Sequence, residues 1–261
     1  MSKFIPIEFQ KSFQKTQQQA VAIAAHYVQS PEVLQSRFGG YPYWQEGVPI
    51  PMDKDGLPVV LLAQINFAEV PKHSELPAKG ILQCFMSKAD ADCDTHSDKK
   101  VSGALVAQFW ENPCPEKHVD WPSHFGEDHS MPVNGAHALT FSLKNDYAGI
   151  ETIECAISLQ ANPFEVLEDV ALNEKEEQQF FETISDYVAA EGHKLLGYPY
   201  LIEEEPREDD AYRLLLQIDT DTQGDNDIMW DNNGLGQLFI PKQDLQACRF
   251  DRIWLHISTE S

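Results

Sequence analysis

Short apolar runs separated by Pro, Gly, Asn and Asp dominate the chain. Val59 to Ile65, Ile81 to Met86, Ala104 to Trp110, His137 to Leu143, Tyr212 to Ile218, Leu235 to Ile240 and Ile253 to Ile257 are rich in branched and aromatic residues and bounded by turn formers, which predicts strands. Two stretches read as helices. From Ser12 to Gln29, helix formers carry Phe13, Ala20, Val21, Ala24 and Val28 loosely at helical spacing, and Pro31 limits the run. Asn173 followed three residues later by Glu176 has the form of a capping box, ahead of an apolar stripe of Phe180, Phe181, Ile184, Tyr187 and Val188 that runs up to Gly192. Parallel winding needs a helix between successive strands, and the spacers here are turn-like. The pattern predicts an α+β fold, predominantly antiparallel β.

The same grammar occurs twice. Gly40-Tyr41-Pro42-Tyr43 recurs as Gly197-Tyr198-Pro199-Tyr200, 157 positions on, and Leu61 to Asn66 recurs as Leu214 to Asp219, with Gln64 mapping to Gln217 at 153. Gly80, Gln83, Phe85, Lys88 and Asp90 match Gly234, Gln237, Phe239, Lys242 and Asp244, each 154 later. The expectation is one domain over 1–261, an internal pseudo-two-fold repeat of helix–GYPY–strand–strand units over about 10–160 and 172–261, with a shared groove between them. Pro42 and Pro199 force extended backbone before them. A glutamine within an apolar strand must satisfy both its oxygen and its amide, here expected across the interface of the repeats, which gives Gln64 and Gln217 a structural role first and a ligand-contacting role second.

Net charge sharpens the picture. Forty-two acidic against 19 basic side chains give −23, which disfavours a phosphate backbone as partner. The acidity is uneven: 1–57 holds five acids and five bases, whereas 203–231 holds eleven acids against Arg207 and Arg213. Such a face attracts a basic protein or a cation. The five cysteines, Cys84, Cys93, Cys114, Cys155 and Cys248, include no CxxC pair and read as free thiols of a reducing compartment. With no export pattern and no long apolar run, the expected location is the cytoplasm and no membrane is expected as partner.

Phe38-Gly39-Gly40-Tyr41-Pro42-Tyr43-Trp44, Leu61 to Asn66, Leu76 to Gln83, His193 to Pro199, Leu214 to Asp219 and Met229-Trp230-Asp231 leading to Gly234 together resemble the YwqG-like family, bacterial cytoplasmic proteins carrying a domain of unknown function. The resemblance covers nearly the whole chain. It implies a single β-rich α+β unit with internal pseudo-symmetry and supplies no catalytic set. Members lie in toxin and immunity gene neighbourhoods, which implies a binding and neutralising role by analogy. The family pattern calls for a glycine soon after the tryptophan, where this chain has Asp231, Asn232 and Asn233.

Candidate chemistry is sparse. Asp219, Asp221, Gln223, Gly224, Asp225 and Asp227 alternate oxygens around a glycine like a calcium loop, but the twelfth position is Trp230 rather than glutamate. Asp219, Asp221 and Asp225 are the cation candidates. Asp90, Asp92, Asp94 and Asp98 with His96 alternate too, without the glycine. Cys114, His118, His124 and His129, followed by His137, supply zinc-ligand types at irregular spacing. No nucleophile elbow, HExxH, P-loop or dinucleotide fingerprint occurs, and no cofactor is expected. The leading expectation is a non-enzymatic acidic protein whose segment from Glu203 to Asp231 docks a basic protein. The alternative is a small-ligand- or metal-binding protein, an enzyme included, whose groove is lined by Tyr41, Trp44, Gln64, Tyr198, Gln217, Asp219, Asp221, Trp230 and Asp231.

Overall fold

The computed structural model describes residues 5–53, 55–57, 59–87, 105–122, 131–188, 190–222, 227–231 and 233–259. Its framework is a ten-stranded, wholly antiparallel sheet of β1 (Gln18–Val28), β2 (Arg37–Gly39), β3 (Val59–Asn66), β4 (Ile81–Ser87), β5 (Leu105–Trp110), β6 (Ala136–Asp146), β7 (Lys194–Leu195), β8 (Tyr212–Asp219), β9 (Leu235–Pro241) and β10 (Trp254–Ser258). The spatial order is β10-β9-β8-β7-β1-β6-β2-β3-β4-β5. The helices are α1 (Ile7–Thr16), α2 (Ile153–Leu159), α3 (Pro163–Val170), α4 (Glu174–Tyr187) and α5 (Lys242–Gln246). This is the expected α+β, mostly antiparallel class.

All seven strands foreseen from the pattern form, and α4 starts at the foreseen capping box: Asn173 accepts from the Lys175 and Glu176 amides while the Glu176 carboxylate accepts from the Asn173 amide. One expectation is overturned. The helix foreseen over Ser12 to Gln29 lies at Ile7–Thr16, and the residues beyond it form β1, the longest ladder of the sheet, pairing from Gln18 with Asp146 to Val28 with Ala136. Gln17 turns extended (φ −52°, ψ 122°), and Val21, Ile23 and Ala25 then alternate inward, a period of two that the preceding helix formers mask. The helices over Ile153–Leu159, Pro163–Val170 and Lys242–Gln246 and the very short β2 and β7 were not foreseen.

The sheet curls until its two ends share one core. Phe67 after β3, Phe109 on β5 and Phe250 before β10 meet, with ring centroids 6.4 Å apart for Phe67–Phe250 and 4.9 Å for Phe109–Phe250. Val21, Ile23, Phe38, Leu62, Ile65, Leu215, Ile218 and Leu238 fill the inner face. Three patches lie outside this core, the smallest being Leu214, Phe239 and Trp254 on β8, β9 and β10. Phe9 and Phe13 of α1, Cys155 of α2, Phe180 and Ile184 of α4 and Tyr198 form a helical layer, with Phe9 edge-on to Phe180 at 5.2 Å. Tyr43, Trp44, Phe85, Trp110 and Trp121 form an aromatic layer over β3 and β4.

Backbone geometry fixes the Gly-Tyr-Pro-Tyr segments. Gly197 sits at φ +77°, and a Cβ there would strike the Asp146 carboxylate and Ala20. Gly40 sits at φ +67°, and a Cβ there would strike the Ala136 side chain. Only glycine tolerates both the dihedral and the approach. Each segment then leads into a buried glutamine. Gln64 Oε1 accepts from the Tyr43 amide (2.8 Å) and Gln83 Nε2 (2.8 Å), and its Nε2 donates to the carbonyls of Val33 (3.1 Å) and Gln35 (3.0 Å). Gln217 Oε1 accepts from the Tyr200 amide (3.0 Å) and Gln237 Nε2 (3.1 Å), and its Nε2 donates to Ala190 (2.8 Å) and Gly192 (2.9 Å).

Candidate binding surface

Most residues proposed for a common groove lie in separate interiors. Gln64 and Gln217 are wholly buried and saturated by the bonds above. Trp44 packs between Trp110 and Trp121, with centroids at 5.2 and 5.3 Å, and donates Nε1 to the Val48 carbonyl. Tyr198 lies beneath the helical layer and donates its hydroxyl to the Thr16 carbonyl at 2.6 Å. Trp230 is buried against Gly236, where a Cβ would strike its ring. These five are therefore core residues. Their aromatic and amide types suit either a groove or a core, and only burial separates the two.

The remaining four candidates diverge. Tyr41 is 46% exposed and lines a cavity of about 450 Å³ with Arg37, His118 and Trp121. Asp219 and Asp221 line a shallow depression of about 380 Å³ with His26 and His193. Asp231 is exposed at a left-handed turn (φ +45°).

The metal candidates are committed elsewhere. Asp219 accepts from the amides of Gly192 (2.7 Å) and Thr220 (2.8 Å), and Asp221 faces His193 Nε2 at 3.6 Å. Cys114 Sγ donates to Glu116 at 3.2 Å, and His118 stacks on Tyr43 with its Nδ1 on the Trp44 backbone. Asp225, His124 and His129, with Cys93 and the whole Asp90 to Asp98 cluster, lie outside the described residues. Among the described residues no group of three or more His, Cys, Asp or Glu side chains is arranged to hold a metal ion. Burial pushes the Cys84 thiol up to about 12 and the Cys155 thiol to about 11, which leaves both inert as nucleophiles.

Three buried cations show how the fold handles charge. Arg37 spends every guanidinium donor on backbone carbonyls, those of Glu32, Val33, Gln35 and Tyr41. Desolvation lowers it to about 10 despite Glu69 nearby. Lys194 on β7 faces Asp146 at 3.1 Å, and burial lowers it to about 8. Arg207 is held by both oxygens of Glu154 (2.8 and 2.9 Å) and both of Glu205 (2.8 and 2.7 Å), and its ring stack on Phe239 lies at 5.6 Å. Burial opposes its charge, but these carboxylates outweigh burial and raise it.

The Arg207 clamp underlies an acidic surface. It ties the 203–210 loop to Glu154 of α2, so the exposed Glu203, Glu204, Glu208, Asp209 and Asp210, the last paired with Lys242 at 2.9 Å, are anchored beside that helix. That layer is acidic as well: 151–182 holds nine acids against Lys175 alone, and Glu151, Glu165, Glu168, Asp169, Glu174, Glu176, Glu177 and Glu182 are exposed. Sequence reasoning found the acids of the loop and missed those of the helices, which are interleaved with an apolar stripe. A charge count over a wider window would have found them. Large apolar side chains stand among these acids, Ile157 at 56%, Phe164 at 47% and Phe181 at 39% exposure.

No helix among the described residues is long and apolar enough to cross a membrane. No curated protein matches the chain. Residues 36–258, which take in every strand except β1, match the family described as a domain of unknown function, DUF1963, and the chain belongs to that family.

Proposed function

We propose that this protein is an acidic binding protein that docks a basic polypeptide on the face formed by α2, α3, α4 and the 203–210 loop. The observation that carries the reading is the Arg207 clamp, which joins two acidic segments into one preorganised surface. An electronegative face held in place accelerates encounter with a cationic partner, and the effect fades as salt screens it beyond a Debye length of about 10 Å at 0.1 M. A toxin-neutralising role in the cytoplasm, which the resemblance to YwqG-like proteins implies by analogy with their gene neighbourhoods, fits this chemistry.

We also propose that the two halves are copies of one unit that have exchanged their first strands. In support, the strand order is symmetric about the β1–β6 pair, with β1 bonded to β7 and β6 bonded to β2. The bulges fall at matching places, between Leu61 and Ala63 and between Leu214 and Leu216, and the two glutamine networks bond the same way.

The test is a pull-down from lysate of the source cell at low salt, eluted by a salt step. A basic polypeptide near stoichiometry is expected. With that partner, the quadruple change Glu203→Lys, Glu204→Lys, Asp209→Lys and Asp210→Lys should slow association about tenfold or more and leave the unfolding midpoint nearly unchanged. A complex indifferent to ionic strength would refute the reading. The alternative, a small ligand, has its best support in the cavity of about 450 Å³ beside Tyr41, and retention of a small molecule there would favour it.

A further inference from the structure

The acidic face contains a cleft. Phe181, Ile184 and Val188 of the α4 end form one wall, Pro199, Tyr200 and Leu201 the other, enclosing about 300 Å³. Ile184 is buried and continues the packed helical layer, whereas Phe181, edge-on to Phe180 at 5.3 Å, stays 39% exposed. The floor is thus finished core, and the opening is apolar surface with nothing of this chain over it among the described residues. Exposed apolar surface of this kind, rimmed by polar groups, marks contact sites.

The rim is of one sign. Glu151 and Glu191 line the cleft itself, and Glu182, Glu203 and Glu204 lie within three residues of its lining along the chain; all five are exposed. Neither 176–193 nor 195–206 contains a lysine or arginine. Desolvation at the rim raises the Glu151 carboxyl, a cost that a cation beside it would relieve. The other cavities offer less. In the one beside Tyr41 the Arg37 donors are all consumed by carbonyls, and in the depression beside His193 the ring Nδ1 already accepts from the Asp219 amide at 2.9 Å.

We propose that this cleft seats one bulky apolar side chain, aromatic or leucine-like, of a basic polypeptide segment whose flanking Lys or Arg side chains meet the glutamates of the rim. The proposal rests on the acidic-face reading and adds the anchor to it. The acids supply steering and orientation, which alone confer rate more than residence. A buried aromatic anchor in a desolvated pocket supplies the slow dissociation that charge does not.

The test uses fluorescently labelled synthetic peptides of Lys, Gln and Ala with one central Trp, a second version with Ala for that Trp, and a third with Glu for every Lys. Binding to the full chain is read by anisotropy at low and moderate salt. The Trp peptide should bind at least about tenfold tighter than the Ala peptide, the loss expected of an anchor worth about 1.4 kcal/mol or more. That ratio should collapse towards one in a Phe181→Ser, Val188→Ser protein and in a separate Leu201→Ser protein, and persist in Ile157→Ser, which lies outside the cleft. Equal binding of the Trp and Ala peptides, or an unchanged ratio in both cleft variants, overturns the anchor while leaving the acidic face standing. A Glu peptide that binds as well as its Lys counterpart overturns the acidic face itself.

Discussion

Gln64 and Gln217 each close four hydrogen bonds in the interior, and both serve the same purpose: they hold a Gly-Tyr-Pro-Tyr segment against a strand. Their partners are not equal. Gln83 Oε1 also receives the Trp110 indole at 2.7 Å, whereas Gln237 Oε1 is buried with no hydrogen-bond partner. Leaving a buried donor unsatisfied costs roughly 1–3 kcal/mol. Gln83→Leu should therefore destabilise by about 1 kcal/mol more than Gln237→Leu, since it orphans the indole in addition to the shared losses. Paired urea titrations measure the difference, and equal midpoints would contradict the assignment. At this scale the sequence was legible: an amide inside an apolar run has few uses. The aromatic residues were not, because Trp44, Tyr198 and Trp230 have the same composition in a groove as in a core.

Elements follow local pattern where they are long enough to have one. The seven foreseen strands and the capped α4 each carry their own period or cap. β2 and β7, three and two residues long, carry none and exist because long neighbours pair with them on both sides. β1 reads as a helix locally and is a strand because the β6 ladder and the inner core take its alternate side chains. Tertiary pairing outweighs propensity differences of under about 1 kcal/mol per residue. The placement of β1 and β6 has a consequence for dissection. A cut between Asn162 and Pro163 removes from β7 its β1 neighbour and exposes the edges of both fragments. Fragments 1–162 and 163–261 should each aggregate or remain unfolded alone, as gel filtration and circular dichroism would report. Two folded monomers would contradict the strand exchange.

For the whole molecule, charge sets both surface and pH behaviour. His193 is held below its usual 6.5 chiefly by burial, against the opposing pull of Asp221 and Asp219, and His137 likewise against Asp221 and Asp227. Both folded values are depressed, so below pH 6.5 the unfolded chain takes up protons first and stability falls as pH drops. The unfolding midpoint should fall between pH 7.5 and 5.5, and His137→Gln with His193→Gln should flatten that slope. An unchanged slope in the double variant would assign the effect to other groups.

By itself the sequence determined the antiparallel β-rich class, the structural use of the two glutamines and the acidic character, because strand period, an amide in an apolar run and net charge are local or summed properties of the chain; the glutamines' partners, expected across the interface of the repeats, lie instead within 33–83 and within 190–237. Only the tertiary structure decided that the aromatics are core, that β1 is a strand between β7 and β6, and that Arg207 ties the 203–210 loop to α2 beside an apolar cleft. Those depend on contacts between residues far apart in sequence, which no local pattern encodes.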